Sequence, residues 1–478
     1  MTKSFMGVRL QRLREERGMT QIAVARALQI SPSYYNQLEN NQRPLTVALL
    51  IKMSTLFGVD VQFFSEEEEA RLIADMREAL SASAPEESIA TAELRELASN
   101  MPAVGRALIA MHRRHREAME RAAAMASRLG GAAYTVPAVL PLMPYEEDRD
   151  FFYARHNYVD ELDEAAERLF TEAGLQPGDT SVGLLERLAK QHGVRVVVDS
   201  PEEDAFVPHR RYDARHRILR LSPYLQPGQR AFQMATQLAF LEAGDLIHRL
   251  ANEAVFSSDE ARSLAHIGLA NYFAGATILP YRVFLEAAKH LRYDIGRLQR
   301  RFGVGFETVC HRLSTMQRPG ARGVPFFFVR VDRAGNISKR QSATDFHFSR
   351  VGGTCPLWNV YAAFEQPGRI LTQLAQMPDG QTYLWIARTI SRGHGGYGAP
   401  SKTFAIGLGC DVRHAGELVY SQGLDLQDPR APTPIGAGCK VCERVACPQR
   451  AFPPIGRQLV VDENESRFAP YRFTSLTT

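Results

Sequence analysis

Long apolar runs are missing from this sequence. None of about 18 residues or more occurs in its 478 positions, so the apolar length that a bilayer-spanning helix needs is absent. The opening residues, Met-Thr-Lys-Ser-Phe-Met-Gly, lead straight into charged side chains with no apolar leader core. That predicts no secretory signal, no membrane partner and a cytoplasmic protein. Charge of one sign is not in large excess either. There are 57 Lys and Arg against 53 Asp and Glu, and the net of +4 does not by itself imply nucleic acid. Cysteine is scarce. Six are too few and too unevenly spread for a disulfide scaffold. No internal repeat is found. What remains is an ordinary globular composition, 45% hydrophobic and 23% charged, whose length predicts about three domains.

The distribution of charge and punctuation says more than the totals. Residues 1–60 hold eight basic and four acidic side chains, and 61–129 hold nine and twelve. Residues 1–60 read as short amphipathic helices. Gly18 stops the first, Thr20 caps the second, and Ser31-Pro32 pairs an N-cap with a proline at the first helical position. A long helix is expected from about Ala103, either a solvated connector or a dimer arm. The Gly- and Pro-rich stretch 130–144 marks a boundary. Residues 145–320 read as mostly helical, with strands at Val194–Val198 and Arg217–Leu221. Residues 324–425 read as antiparallel strands: Val324–Val331, Ile337–Gln341, Ile370–Gln376, Tyr383–Ile390 and Lys402–Gly409, with a helix at Trp358–Phe364. The expected domains are 1–62, 63–144, 145–320 and 321–478. The expected fold class is multidomain: a mostly α N-terminal half followed by an α+β C-terminal module.

Leu13-Arg14, Gly18-Met19-Thr20-Gln21, Ala25, Leu28, Ile30-Ser31 and Tyr34-Tyr35-Asn36-Gln37-Leu38-Glu39-Asn40 resemble the repressor-type helix-turn-helix of the Xre family. Tyr35 and Leu38, three apart, point into a small core. Ser33, Tyr34 and Gln37 then face outward on a helix able to enter the major groove of double-stranded operator DNA. Gln37 is suited to adenine and Ser33 to either base type. Gln21 opens the preceding helix, where an N-terminus meets phosphate, and Ser31, Asn41 and Arg43 complete the expected DNA-binding set. Such modules read palindromes as dimers, so a homodimer is expected.

Residues 220–285 resemble the ImmA/IrrE-type metallopeptidases, carried by Arg230-Ala231-Phe232 and the run Leu269–Pro280. That family's His-Glu-x-x-His would fall on Thr236-Gln237-Leu238-Ala239-Phe240, and its third ligand on Leu269. Thr, Phe and Leu offer no zinc donors, so a degenerate, non-enzymatic domain is expected. His248 and His266 are expected to be structural. Cys439-x-x-Cys442-x₄-Cys447, with Cys410 upstream, has the spacing of a thiolate metal loop. Zinc and a 4Fe–4S cluster both remain open, whereas Cys310 and Cys355 read as core thiols.

The order of these modules, ending in Gly-Cys-Lys-Val-Cys-Glu-Arg-Val-Ala-Cys-Pro-Gln-Arg-Ala-Phe-Pro-Pro, resembles the bacterial short-chain fatty-acyl transcriptional regulators over essentially the whole chain. The resemblance implies a regulator of propionate or acetate metabolism with an acyl-CoA effector, propionyl-CoA foremost. Any iron–sulfur ligands would fall among Cys410, Cys439, Cys442 and Cys447. A CoA site needs cations for phosphates, rings for adenine and an apolar slot for the acyl end. Arg330, Arg340, Arg388 and Arg392 with Phe348, Trp358, Tyr361 and Tyr397 supply the first two. Two rivals stand beside this reading, an iron–sulfur redox regulator and a phage or toxin–antitoxin repressor.

Overall fold

A computed structural model describes residues 7–40, 42–43, 45–57, 66–83, 89–128, 144–199, 208–342, 355–378, 380–393 and 401–436. In the C-terminal stretch it describes 438–439, 442, 444, 447–453, 459–465 and 472–473. The chain forms two compact units. One comprises Met1–Leu140, Asp345–Gly352 and Cys439–Thr478, the other Pro141–Thr344 and Gly353–Gly438.

The first unit opens with helices α1 (Gly7–Glu16), α2 (Gln21–Leu28), α3 (Pro32–Glu39) and α4 (Val47–Phe57). The expected caps form. The Thr20 and Ser31 side chains accept from the Ala23 and Tyr34 amides, and Gln29 closes α2 in the left-handed region. Leu10, Val24, Leu28, Tyr35, Leu38, Met53 and Phe57 close the core. Next come α5 (Glu66–Ser83), α6 (Thr91–Asn100) and α7 (Pro102–Arg128), packed through Leu72, Met76, Leu94 and Ala98. Pro102 starts the 27-residue helix expected near Ala103, in the one turn where a missing N–H is harmless.

The second unit begins with α8 (Pro144–Tyr153), α9 (Asp160–Glu172) and α10 (Ser181–His192). Strands β1 (Arg195–Val198), β2 (Arg210–Asp213) and β3 (Ile218–Leu221) form a small sheet in the order β1-β3-β2. The edge strand β2 was not expected, because two arginines hide its alternation. Helices α11 (Pro227–Glu242), α12 (Gly244–Asn252), α13 (Asp259–Ile278), α14 (Tyr281–His290), α15 (Ile295–Phe302) and α16 (Phe306–Leu313) follow. A buried ion pair between Arg312 of α16 and Asp163 of α9 binds this layer. Tyr272 donates to Asp163 at 2.6 Å, and Arg312 Nε donates to the Leu279 carbonyl at 3.0 Å.

Strands β4 (Phe327–Val331), β5 (Ile337–Ser342), β6 (Leu371–Gln376), β7 (Thr382–Gly393), β8 (Ser401–Asp411) and β9 (Thr433–Pro434) build a six-stranded sheet ordered β5-β4-β8-β7-β6-β9, antiparallel except for β6 with β9. The expected helix near Trp358 is a single turn, α17 (Asn359–Ala362). Pairing register fixes the two faces, since directly opposed residues share one. On one face Trp385 stacks against Phe327 (4.4 Å between centroids) and Trp358 (4.5 Å). Position 409 on β8 must lack a side chain, because a Cβ there would lie 1.9 Å from the Phe327 ring. The other face carries Phe328, Leu384, Ile386, Ile406 and Leu408 into the main core. Two short strands, β10 (Leu459–Val460) and β11 (Arg472–Phe473), pair in the first unit.

Candidate DNA-reading and effector sites

In the helix-turn-helix, Glu39 at the end of α3 is 7% exposed and gathers two partners. Arg14 Nε donates to it at 2.6 Å, and Gln21 Nε2 donates to it at 2.6 Å while also reaching Asn36 Oδ1 at 3.3 Å. This network fixes α1, α2 and the recognition helix α3 against one another. Sequence reading named Arg14 and Glu39 among the helix-turn-helix residues but missed their pairing, because a 25-residue separation has no local signal. Ser31 and Ser33 are exposed and Tyr34 and Gln37 half-buried along α3, Arg43 is exposed, and Asn41 lies outside the described residues. Gln21 keeps its place at the start of α2, held through its amide nitrogen by Glu39.

The peptidase-like positions hold a different chemistry. Thr236 donates to the Phe232 carbonyl at 2.8 Å, and Leu269 is wholly buried. Arg210 reaches in from β2, donates to Gln237 and lies 5.3 Å over the Phe240 ring. Burial lowers the Arg210 pKa, so its charge stands desolvated against an amide and a ring. His248 and His266 stack edge to face at 5.2 Å.

The effector residues expected from sequence fall into separate places. Lys339, Arg330, Ile406 and Arg388 are opposed in turn across β5, β4, β8 and β7, so three cations share one row on the core face. Arg392 lies on the same face two pairs further on, opposite Lys402. Glu307 of α16 closes over this row, accepting from Arg330 at 2.9 Å and from Arg392. Arg330 sits 4.8 Å over Phe404 and Arg388 5.2 Å over Phe306. The buried Arg388 Nε has no hydrogen-bond partner among the described residues. Burial pulls Lys339 down to about 8 and raises Asp148 of α8 to about 6. Arg340 opposes Val329 on the other face, where Trp358 and Tyr361 lie with Trp385. Phe348 and Tyr397 lie outside the described residues. Lys339 and Glu307 were missed, since strand register places the one and the packing of α16 on the sheet places the other.

In the cysteine loop, Arg450 is 4% exposed and its guanidinium donates to the carbonyls of Cys439, Cys442, Arg444 and Phe452. This clamp shapes the loop from within. Cys410 is a wholly buried strand residue of the second unit, its thiol pushed up by burial. Three thiols in one loop are a soft donor set suited to zinc or iron–sulfur. Among the described residues, however, no three His, Cys, Asp or Glu side chains converge on one ion.

Three family models match the chain: helix-turn-helix at residues 10–64, IrrE N-terminal-like domain at 189–314, and short-chain fatty acyl coenzyme A regulator, C-terminal, at 315–471. The HTH-type transcriptional regulator PrpR of Mycobacterium tuberculosis is 53% identical over 99% of this chain and 96% of its own length. The regulator RamB of M. tuberculosis is 51% identical over 98% and 99%. The propionyl-CoA carboxylase regulator of Cereibacter sphaeroides is 45% identical over 98% of each. A solved M. tuberculosis transcriptional regulator, 57% identical, superposes with a TM-score of 0.67 over 69% of this chain and all of its own.

Proposed function

Because the chain belongs to the short-chain fatty acyl coenzyme A regulators, a family of helix-turn-helix transcriptional regulators, we propose that it binds operator DNA under the control of a short-chain acyl-CoA, propionyl-CoA foremost. The observation that carries the effector half is the cation row of Lys339, Arg330 and Arg388 with Arg392 beside it. Several guanidinium forks on one face suit the phosphates of CoA, and Phe306 and Phe404 offer flat faces beside them. Arg340, Trp358 and Tyr361 are left out of this site because they lie on the opposite face. The DNA half rests on Ser33, Tyr34 and Gln37 as the reading face. Ser31, Gln21, Asn41 and Arg43 hold phosphates, and two chains dock on a palindrome. The boundaries at 1–62, 63–144, 145–320 and 321–478 divide reader, arm, degenerate peptidase-like scaffold and sensor. No zinc donor stands at Thr236, Phe240 or Leu269, which supports a regulator over a peptidase. The thiols of Cys439, Cys442 and Cys447 form the proposed metal set, and Cys410, a buried strand residue of the second unit, is left out of it. Metal analysis of anaerobically purified protein tests it, and metal-free protein with free thiols rejects it.

The central experiment is reciprocity. Propionyl-CoA changes operator affinity by some factor, and operator DNA must change propionyl-CoA affinity by the same factor. Equal thioester affinity for free and operator-bound protein, measured by calorimetry, refutes the effector reading. Within the reader, Gln37→Ala lowers discrimination at one base pair by about 1–3 kcal/mol. Arg43→Ala weakens all sequences alike and flattens the salt slope by about one. Competition binding across operator variants separates the two effects.

A further inference from the structure

Glu307 stands where the preceding reading puts a ligand. It is the one carboxylate among the described residues that pairs with the cation row, and its side chain is 14% exposed. It accepts from Arg330 on β4 and from Arg392 on β7, strands separated in the sheet by β8. The row around it stays under-neutralised. Lys339 is a third cation beside Glu307, and Arg388 keeps a buried donor without a partner among the described residues. Two carboxylates, Glu307 and Asp148 near Lys339, therefore face four cations, an arrangement that a polyvalent phosphate would satisfy better.

The element that carries Glu307 is also anchored elsewhere. Its far end holds Arg312, fixed to Asp163 of α9 and to the Leu279 carbonyl. Thus α16 ties the sheet to the helical layer at one end through Glu307 and at the other through Arg312. It is also the last helix before residue 314, where the peptidase-like match gives way to the sensor match.

We infer that Glu307 is the resident anion of the effector site, and that a phosphate of the effector binds by displacing it from Arg330 and Arg392. This rests on the reading of the cation row as the phosphate site, and it adds how binding is sensed. The exchange releases the N-terminal end of α16 from the sheet while Arg312 keeps the other end fixed. The chemical cue is the phosphorylated part of the ligand. The acyl end sets selectivity without moving the lever.

Full-length protein and its Glu307→Gln and Glu307→Asp variants are titrated by calorimetry with propionyl-CoA and with adenosine 3′,5′-bisphosphate, which has phosphates and no thioester. Thermal melts establish that each variant is folded. Operator affinity is measured with and without propionyl-CoA. The expected result is that Glu307→Gln binds both ligands about tenfold tighter, ~1.4 kcal/mol, with Glu307→Asp between it and the natural chain. In Glu307→Gln the thioester loses most of its effect on operator affinity. Unchanged or weaker binding by folded Glu307→Gln overturns the inference, since Glu307 would then be holding the arginines in place for the ligand. Arg388→Ala separates the two levels. If it leaves both ligands bound as before, the phosphate-site reading fails and the inference with it. If it loses both while Glu307→Gln is not tighter, only the inference fails.

Discussion

The DNA-reading head and the sensor sheet treat their charged side chains in opposite ways. In the head, Arg14, Gln21 and Glu39 satisfy one another within a 25-residue span, and the groups left over line the outer face of α3. In the sheet, register brings Lys339 and Arg330 of neighbouring strands together with Arg388 from a strand distant in sequence, and their charge exceeds what Glu307 supplies. The head is a closed network that presents a surface. The sheet corner is an open network, with a buried donor of Arg388 left without a partner among the described residues. A charge cluster thus serves as scaffold when its members are mutually satisfied and as receptor when they are not.

The buried Arg312–Asp163 pair marks the closed extreme outside the head, so breaking it tests the comparison hardest. Asp163→Ala leaves a buried guanidinium unpaired and should lower stability by about 3–5 kcal/mol. Chemical denaturation measures this, and a loss under about 1 kcal/mol would remove the distinction between the networks. Glu39→Gln is the next largest. It replaces a shared charged acceptor in the head and should cost about 1.5–3 kcal/mol with weaker operator binding. By contrast, folding that is unaffected while binding falls would make the head network a receptor as well.

The smallest effect tests the open corner through pH. Asp148 lies near Lys339, and burial raises its pKa from 3.8 to about 6. The folded chain therefore holds this proton more tightly than the unfolded chain. Stability is unaffected below about pH 4, where both forms are protonated, and is lost as pH rises toward 6, where the native group also ionises. Asp148→Asn should flatten that segment of the stability profile and raise Tm at pH 7 by about 2–4 °C, equivalent to roughly 1 kcal/mol. An unchanged profile would show that Asp148 is solvated.

The same contrast explains what the sequence could and could not reveal. The helix-turn-helix was legible because caps, turns and inward positions are set within a few residues: Thr20, Ser31-Pro32, Tyr35 with Leu38. Most sheet strands were legible from alternation. Which arginines share a face was not legible. Arg330 and Arg340 both read as sensor cations, but pairing of Arg330 with Lys339 and of Arg340 with Val329 sends them to opposite faces. Likewise the resemblance to the metallopeptidases exposed the lost zinc donors, whereas the filling of that place by Arg210 depends on an edge strand whose charges mask its period.

The aromatic stack seated over Gly409 of β8 has an optical consequence. The chain contains two tryptophans, and both sit in the aromatic stack on that face of the sheet, with ring centroids 4.5 Å apart. The helix-turn-helix contains none. Intrinsic indole emission and near-ultraviolet circular dichroism from tryptophan therefore originate in the sensor sheet, while the DNA-reading head is silent in those bands. A tryptophan signal that changes when operator DNA is added is then direct light-borne evidence that the sheet has felt the DNA.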